Sequence, residues 1–386
     1  MLHRLRNINL YSPEPVGLVN ILIASDKIVA ISKDDIQIDS QWLTSDEDYQ
    51  GKRVIPGFID GHAHITGGGG EAGFKTKVPP VNLSQYTSAG VTSVVGLLGT
   101  DDITRNTSSL IAQVYALREE GISAWCYTGG YHVPLQTLTG SIKKDIIHIE
   151  PVIGVGELAI SDHRSSQPTF DEIARIVGDA HVAGIMTGKA GIVHFHLGDG
   201  SRKLALIEDL LNRTELPPRT LNPTHCNRNI PLFEQACELT KRGISIDVTA
   251  FPESDSSEEY SAKESFEIFH KKKLDQSKLT ISSDGGGCLP QFDTQGELIK
   301  LDYGRCSLLS DTFKELLDQG YPEEQVLLPF TKNVADLLRL SQKGEIKVGN
   351  DADLIVLDEE NQIESVMALG KWHKKNGMML RLGSFE

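Results

Sequence analysis

The middle of this chain, residues 55–344, alternates short apolar runs with segments of helical pattern, and this alternation limits the possible folds more than any other feature. In chain order the segments are the run 90–98, the helix 108–120, the run 122–128, the helix 171–183, the run 192–197, the helix 232–242, and the runs 244–249 and 278–283. Short apolar strands that alternate with helices favour parallel pairing. Since no glycine-rich dinucleotide-binding motif is present, we predict an α/β protein with a (β/α)8 barrel. A doubly wound open sheet is the alternative.

The two ends of the chain have a different pattern. Residues 18–32 contain two β-rich runs around a polar Ser-Asp-Lys turn. Residues 344–358 have a turn followed by a strand pattern, and 363–372 give a further strand. We therefore predict a small, sandwich-like β domain built from residues 1–54 and 345–386, beside a barrel formed by residues 55–344.

Composition excludes several classes of partner and location. The formal net charge of −15 disfavours binding to nucleic acid or to an anionic membrane surface, and it suits an enzyme with a small-molecule substrate. The start of the chain lacks the pattern of a signal peptide, and no apolar run approaches about 18 residues. The five cysteines are scattered and form no Cys-x-x-Cys motif, so we expect reduced thiols and a cytoplasmic protein. The polar segment 252–260 is predicted to be an exposed loop.

An apolar run that begins at Val54 ends in the sequence His62-Ala63-His64. Side chains two residues apart on a strand point the same way, so both imidazoles can reach one metal ion. In the alternative interpretation, the two histidines lie in a loop and face solvent. The metal site is favoured because residues that can bind a metal or take part in hydrolysis follow later predicted strands. They are Tyr131, Glu157, His196, His225 and Asp284. Four imidazoles and two carboxylates at one end of a barrel can hold two divalent ions about 3.5–4 Å apart and activate water for hydrolysis.

Several motifs resemble those of the amidohydrolase superfamily and, within it, of the isoaspartyl (β-aspartyl) dipeptidases. They cover the segments 56–73, 90–101, 128–134, 160–165, 223–229 and 282–285. The His-x-His pair alone is typical of the superfamily. The Gly-Gly-Gly-Gly-Glu loop at 67–71 and two motifs that contain arginine narrow the resemblance to the dipeptidases.

The resemblance implies a metal-dependent hydrolase of β-aspartyl dipeptides that uses a hydroxide bridging two divalent ions, with zinc as the expected metal. His62 and His64 would bind the more buried ion, and His196 and His225 the second one. Asp284 would bind the first ion and act as general base and acid.

The resemblance also implies roles in substrate binding. Tyr131 would polarise the scissile carbonyl. Glu71 would accept the substrate α-ammonium group with help from Gly69 and Thr100. Arg164 and Arg228 would hold substrate carboxylates, for which a guanidinium group is suited. A large homo-oligomer, such as an octamer, is also implied.

The chain departs from the dipeptidase pattern at two positions. Where the family has a carboxylated lysine that bridges the metals, this chain has Val155-Gly156-Glu157 and one extra residue. We hypothesise that Glu157 bridges the ions directly, with a bulge of the strand bringing its shorter side chain inward. In the competing reading Glu157 points away and the site holds one metal or binds the second weakly. The second departure is Cys288, which replaces a substrate-contacting serine and is a weaker hydrogen-bond partner.

Two other functions stay open at this stage. A sister hydrolase of N-acyl amino acids or cyclic amides would share the metal ligands but not Glu71, Arg164 and Arg228. A catalytically silent binding protein could have kept the fold after losing the lysine.

Overall fold

The structure of the protein, a computed structural model, describes residues 1–251, 258–292 and 298–386. Residues 252–257 of the predicted exposed loop lie outside the described residues. No helix in the described ranges is long and apolar enough to cross a membrane.

Strands and helices alternate through the middle of the chain, as predicted. In the described ranges the strands are β1 (Leu2–Tyr11), β2 (Pro15–Ala24), β3 (Lys27–Ser32), β4 (Ser45–Asp48), β5 (Arg53–Pro56), β6 (Phe58–Ala63), β7 (Val91–Gly96), β8 (Ser123–Thr128), β9 (Val152–Ile160), β10 (Ile192–Leu197), β11 (Leu221–Thr224), β12 (Ile246–Thr249), β13 (Leu279–Ser282), β14 (Cys288–Phe292), β15 (Leu298–Tyr303), β16 (Leu354–Leu357), β17 (Ile363–Ala368), β18 (Lys371–Lys375) and β19 (Met378–Met379). The α-helices are α1 (Leu83–Ser88), α2 (Thr107–Glu120), α3 (Ile142–His148), α4 (Phe170–Thr187), α5 (Ala205–Arg213), α6 (Ile230–Thr240), α7 (Ala262–Lys271), α8 (Ser307–Asp318), α9 (Glu323–Leu327) and α10 (Lys332–Leu338).

Eight parallel strands form the barrel. Strands β6 to β11 pair in chain order as one parallel sheet, and β12 pairs with β13 in parallel. The N–H of His64, just after β6, donates to the carbonyl of Gly285, just after β13, at 2.8 Å. The N–H of Cys226 donates to the carbonyl of Asp247 on β12 at 3.2 Å, which connects β11 with β12. The predicted (β/α)8 barrel is therefore confirmed, and the open-sheet alternative is wrong.

Local sequence signals explain where helix α4 begins and ends. Helix α4 begins with a capping box, in which Thr169 and Glu172 satisfy each other's backbone N–H groups. It ends at Gly188, whose φ of 73° is left-handed. The helix was predicted over 171–183. It continues for a further turn because this glycine, and no residue before it, ends the helical geometry.

The strands from both ends of the chain form a separate nine-stranded sheet. Its order is β19-β18-β17-β16-β5-β1-β2-β3, with β4 beside β1. Leu5, Ile8 and Leu354 belong to its own apolar core, distinct from that of the barrel. Buried Lys343 joins the two parts, because its Nζ lies 2.6 Å from both Asp353 Oδ2 and Ser123 Oγ. The domain limits at 54/55 and 344/345 stay a prediction.

Candidate active site

The first group of candidate ligands lies where β6 and β13 end. His62 and His64 are buried, and their Nε2 atoms lie 3.4 and 3.1 Å from Oδ1 of Asp284. Asp284 follows β13 in a left-handed backbone conformation with a φ of 51°. Asp60 on β6 holds the end of β13 in place, because its Oδ1 accepts a 3.2 Å hydrogen bond from the N–H of Ser283. Residues from the two ends of the barrel sequence thus converge on one point.

Glu157 lies between the two predicted pairs of histidines. Its Oε1 is 3.3 Å from His64 Nε2. Its Oε2 is 3.1 Å from His196 Nδ1 and 3.3 Å from His225 Nε2. The carboxylate is 1% exposed and points into the site, which is the position that a bridging ligand requires.

A bulge of β9 brings Glu157 to this position. Val155 pairs with Val193 on β10, but Leu158 pairs with Phe195, so β9 has one more residue than β10 over this stretch. A Cβ atom on Gly156 would lie 2.9 Å from the Cβ of His194. Glycine at 156 therefore lets the bulged strand pack closely on β10, as the extra residue in the sequence predicted.

Neighbouring side chains orient the other two histidines. Nδ1 of His225 lies 2.7 Å from Thr249 Oγ1, which leaves Nε2 for Glu157. Nδ1 of His196 lies 2.8 Å from the hydroxyl of Tyr131, while its Nε2 lies 2.9 Å from Asp162 Oδ2. Nε2 of His225 and Nδ1 of His196 are therefore the ring atoms that face the Glu157 carboxylate.

The donor set fits divalent cations. One nitrogen or oxygen from each of His62, His64 and Asp284 lies within 4.8 Å of the others, and the same holds for His62, Glu157 and His225. Nε2 of His62 and Oδ1 of Asp284 are buried and have no hydrogen-bond partner in the described part of the chain. Imidazole and carboxylate ligands suit zinc. The structure thus offers two adjacent places for an ion that share His62.

The electrostatics of these groups also favour a cation. Burial alone would lower the pKa of His64, but the nearby carboxylates of Asp284 and Glu157 raise it to about 10. Burial would raise the pKa of the Glu157 carboxyl, yet the imidazoles of His62 and His196 hold it well below its usual range. Burial would likewise raise the pKa of Asp284, but His62 and His64 lower it. Both carboxylates are therefore ionised and require compensating positive charge, which protons or metal ions can supply.

The residues expected to bind substrate lie around this centre with unused polar atoms. Oε2 of Glu71, Oγ1 of Thr100 and Nε of Arg228 are buried without a hydrogen-bond partner among the described residues. Nη1 of Arg164 lies 3.6 Å from Oε1 of Glu71. Buried polar atoms are nearly always paired in native proteins, so these atoms indicate a polar ligand.

Gly69 and Cys288 are neighbours in the same region. Gly69 has a φ of 82°, and a Cβ atom there would lie 2.4 Å from the carbonyl oxygen of Thr76 and 3.2 Å from Cβ of Cys288. Only glycine fits this conformation without strain. Burial raises the pKa of the Cys288 thiol to about 12, so it stays protonated.

The sequence pattern missed two contributors to the site. Asp162, in the segment Ser161-Asp162-His163-Arg164, contacts His196, although no role was predicted for it. His194 also contributes, because its Nε2 lies 2.8 Å from Nδ1 of His62 and it supports the histidine pair. The sequence does place His194 near the site, because it is two residues from His196 on one strand and the side chains of residues 192, 194 and 196 face the same side.

Comparison with known proteins identifies the family of this chain. The amidohydrolase family model matches residues 53–373, so the chain belongs to the amidohydrolase family, a family of hydrolases. The chain is 42% identical to a β-aspartyl dipeptidase from Fervidobacterium islandicum AW-1, solved in complex with β-Asp-Leu, with a TM-score of 0.93 and 100% of both chains covered. A second structure of β-aspartyl dipeptidase from that organism is 40% identical, with a TM-score of 0.90 and the same coverage. An allantoinase from Desulfitobacterium hafniense is 22% identical over 93% of this chain and 86% of its own. The resemblance to β-aspartyl dipeptidases found in the sequence is confirmed.

Proposed function

We propose that this hydrolase cleaves β-aspartyl (isoaspartyl) dipeptides and depends on two divalent metal ions for this reaction. The proposal depends most on the buried acceptor Oε2 of Glu71, which has no hydrogen-bond partner among the described residues, and on two arginines near the same candidate metal centre. The 42% identity to a β-aspartyl dipeptidase solved with β-Asp-Leu supports it.

The charges around the site match those of such a substrate. A β-aspartyl dipeptide has a free α-ammonium and a free α-carboxylate on its first residue, and a terminal carboxylate on the second. Glu71 accepts the ammonium group with Thr100 and the Gly69 backbone beside it, while Arg164 and Arg228 each take a carboxylate. An N-acyl amino acid has no ammonium group, so it would leave Glu71 buried and unpaired, which is unfavourable.

In the proposed hydrolysis, Asp284 transfers the proton beside the metal ions. Two divalent ions, zinc by preference, would supply the Lewis acidity that activates water and polarises the amide when bound. Asp284 takes a proton from the attacking water as the new C–O bond forms. Asp284 then passes this proton to the amide nitrogen as the C–N bond breaks, which releases the second amino acid as an amine.

Tyr131 stabilises the charge that develops on the carbonyl oxygen. Burial raises the pKa of its phenol well above the ordinary value, so the hydroxyl remains a proton donor at neutral pH. In the structure this hydroxyl lies 2.8 Å from His196 Nδ1, so it is already beside the second candidate metal position.

Glu157 would hold both ions in this proposal, in place of the carboxylated lysine of the family. Its two oxygens face different histidines, Oε1 towards His64 and Oε2 towards His196 and His225. A glutamate carboxylate supplies the same charge and number of donor oxygens as a carboxylated lysine, and the bulge of β9 shortens the distance that it must cover.

A substrate panel tests the activity. The zinc-loaded protein is assayed with β-Asp-Leu, α-Asp-Leu, N-acetyl-leucine and hydantoin. We expect cleavage of β-Asp-Leu far above the other three. Preferred hydrolysis of N-acetyl-leucine or hydantoin would assign the chain to a sister activity, and no turnover of any of the four would indicate a silent binding protein.

We further propose that the protein acts in the cytoplasm as a large homo-oligomer, such as an octamer. The acidic composition and the scattered cysteines support the location. Light scattering coupled to size-exclusion chromatography measures the assembly, and a monomer at micromolar concentration would contradict this expectation.

A further inference from the structure

One carboxylate, Asp162, contacts both a candidate metal ligand and a candidate substrate-binding residue. Its Oδ2 lies 2.9 Å from Nε2 of His196 and 2.8 Å from Nη2 of Arg164. Its Oδ1 accepts from the backbone N–H of Arg164 at 2.7 Å and from Nε at 3.1 Å. The side chain of Asp162 is 4% exposed, so these contacts are shielded from water.

The local chain is built to hold this carboxylate in place. Ser161, directly after β9, has a left-handed backbone with a φ of 52°, which turns the chain at the end of the strand. A Cβ atom on Gly198 would lie 2.5 Å from Cβ and 2.6 Å from Oδ2 of Asp162. Any other residue at 198 would displace the carboxylate, so the glycine after β10 leaves space for it.

On the metal side, Asp162 orients His196. The Nδ1 atom of this ring faces Glu157 and the candidate metal position, so a bound ion requires the ring proton on Nε2. That proton points at Oδ2 of Asp162. A carboxylate that accepts from the far nitrogen of a ligating histidine fixes the ring and makes it a better donor to the metal.

On the substrate side, Asp162 orients Arg164. It binds the guanidinium edge formed by Nε and Nη2, and this leaves Nη1 facing Glu71 at 3.6 Å, beyond hydrogen-bond distance. Without Asp162 the buried cation would be drawn to the other nearby carboxylate, Glu71. Arg164 would then lose the orientation that receives a substrate carboxylate, and Glu71 would lose its free acceptor.

We propose that Asp162 is a positioning residue that supports metal binding through His196 and substrate binding through Arg164 at the same time. The part that concerns substrate rests on the proposed function. The part that concerns the metal rests only on the candidate metal centre and does not depend on which substrate is cleaved.

Cobalt titration tests the metal side without any substrate. Co²⁺ is titrated into the chelator-stripped full-length protein, and its d–d absorption is followed for the parent, for Asp162→Asn and for Asp199→Asn. Asp199 is a control because its carboxylate is exposed at the same end of the barrel. We expect Asp162→Asn to weaken the second site about 10- to 100-fold and Asp199→Asn to bind as the parent does. Parent-like binding by Asp162→Asn would overturn the proposal.

Kinetics at saturating metal test the substrate side. We expect Asp162→Asn to raise KM for β-Asp-Leu by roughly tenfold or more with a much smaller change in kcat, since a charge-assisted hydrogen bond that orients Arg164 is lost. A general structural defect would lower kcat together with thermal stability, and an unchanged KM would overturn the coupling. If the parent itself does not cleave β-Asp-Leu, the proposed function fails, and the cobalt titration alone decides on Asp162.

A second variant keeps the test decisive if Asp162→Asn does not fold. Arg164→Met removes a cation that competes with His196 for Asp162. We expect its second site to bind Co²⁺ at least as tightly as the parent, because the whole carboxylate then serves His196. Weaker binding by Arg164→Met would contradict the shared role.

Discussion

Nδ1 of His62 lies 2.8 Å from Nε2 of His194, and both rings are buried. Burial lowers the pKa of His194 to about 3, so this ring is neutral. Its Nδ1–H donates to Oδ1 of Asn222 at 2.6 Å, and Nδ2 of Asn222 donates to the carbonyl of Ser245 at 2.9 Å. His194 Nε2 must therefore accept from Nδ1–H of His62. The direction of this chain of hydrogen bonds leaves Nε2 of His62 available to a proton or an ion, facing Asp284 and Glu157.

The first prediction concerns this chain of hydrogen bonds. His194→Leu removes the acceptor and frees His62 to rotate, so we expect about 10- to 100-fold weaker binding of zinc at the first site, as is usual when such a supporting partner is lost. Competition with a chromophoric chelator measures it. Asn222→Leu is the control. We expect it to lose less zinc affinity than His194→Leu, because His194 remains. Parent-like affinity in His194→Leu would show that the chain does not set the geometry of His62.

The second prediction concerns the bridging carboxylate. Glu157→Ala removes the oxygens that face both histidine pairs, so we expect metal content to fall from two ions to one or fewer, with loss of activity. Elemental analysis after dialysis checks this outcome. Glu150→Gln, which changes an exposed glutamate, is the matched control and should retain both ions. Two tightly bound ions in Glu157→Ala would rule out the bridge.

The third prediction is that metal affinity rises with pH. In the metal-free protein the pKa of His64 is about 10, so the ring is protonated at pH 7 to 8 and must lose a proton before it binds an ion. Each displaced proton makes binding about tenfold tighter per pH unit below that pKa. Calorimetry in buffers of different ionisation enthalpy counts the protons released. Zero protons released at pH 7.5 would contradict the shift.

The fourth prediction concerns Cys288. Its thiol is protonated because burial raises its pKa to about 12, so it is a weak donor and a poor nucleophile. We expect Cys288→Ser to lower KM for β-Asp-Leu roughly two- to fivefold at unchanged kcat, since a hydroxyl is a stronger partner. Cys288→Ala serves as the control and should not lower KM. An increase in KM for Cys288→Ser would show that the thiol is better suited to this site.

The sequence pattern was sufficient to predict the barrel, the separate sheet and the inward position of Glu157. The barrel and the sheet follow from the chain's own periodicity, because strands alternate with helices and His62 and His64 are two residues apart. The position of Glu157 was implied by the resemblance to β-aspartyl dipeptidases, relative to which this chain has one extra residue. The roles of Asp162 and His194 could not be predicted in this way. They depend on how deep a side chain lies in the barrel and on which strand it faces, and strand pairing and the bulge decide both. The contact between Arg164 and Glu71 likewise joins two loops whose spacing in sequence carries no signal.

Reversible removal of the metal tests most directly whether cleavage depends on the metal ions. The protein is stripped with a chelator, its cleavage of β-Asp-Leu is measured, and zinc is then added back in steps. We expect no cleavage by the stripped protein and full recovery at two zinc ions per chain. Cleavage that survives complete removal of the metal would contradict this expectation.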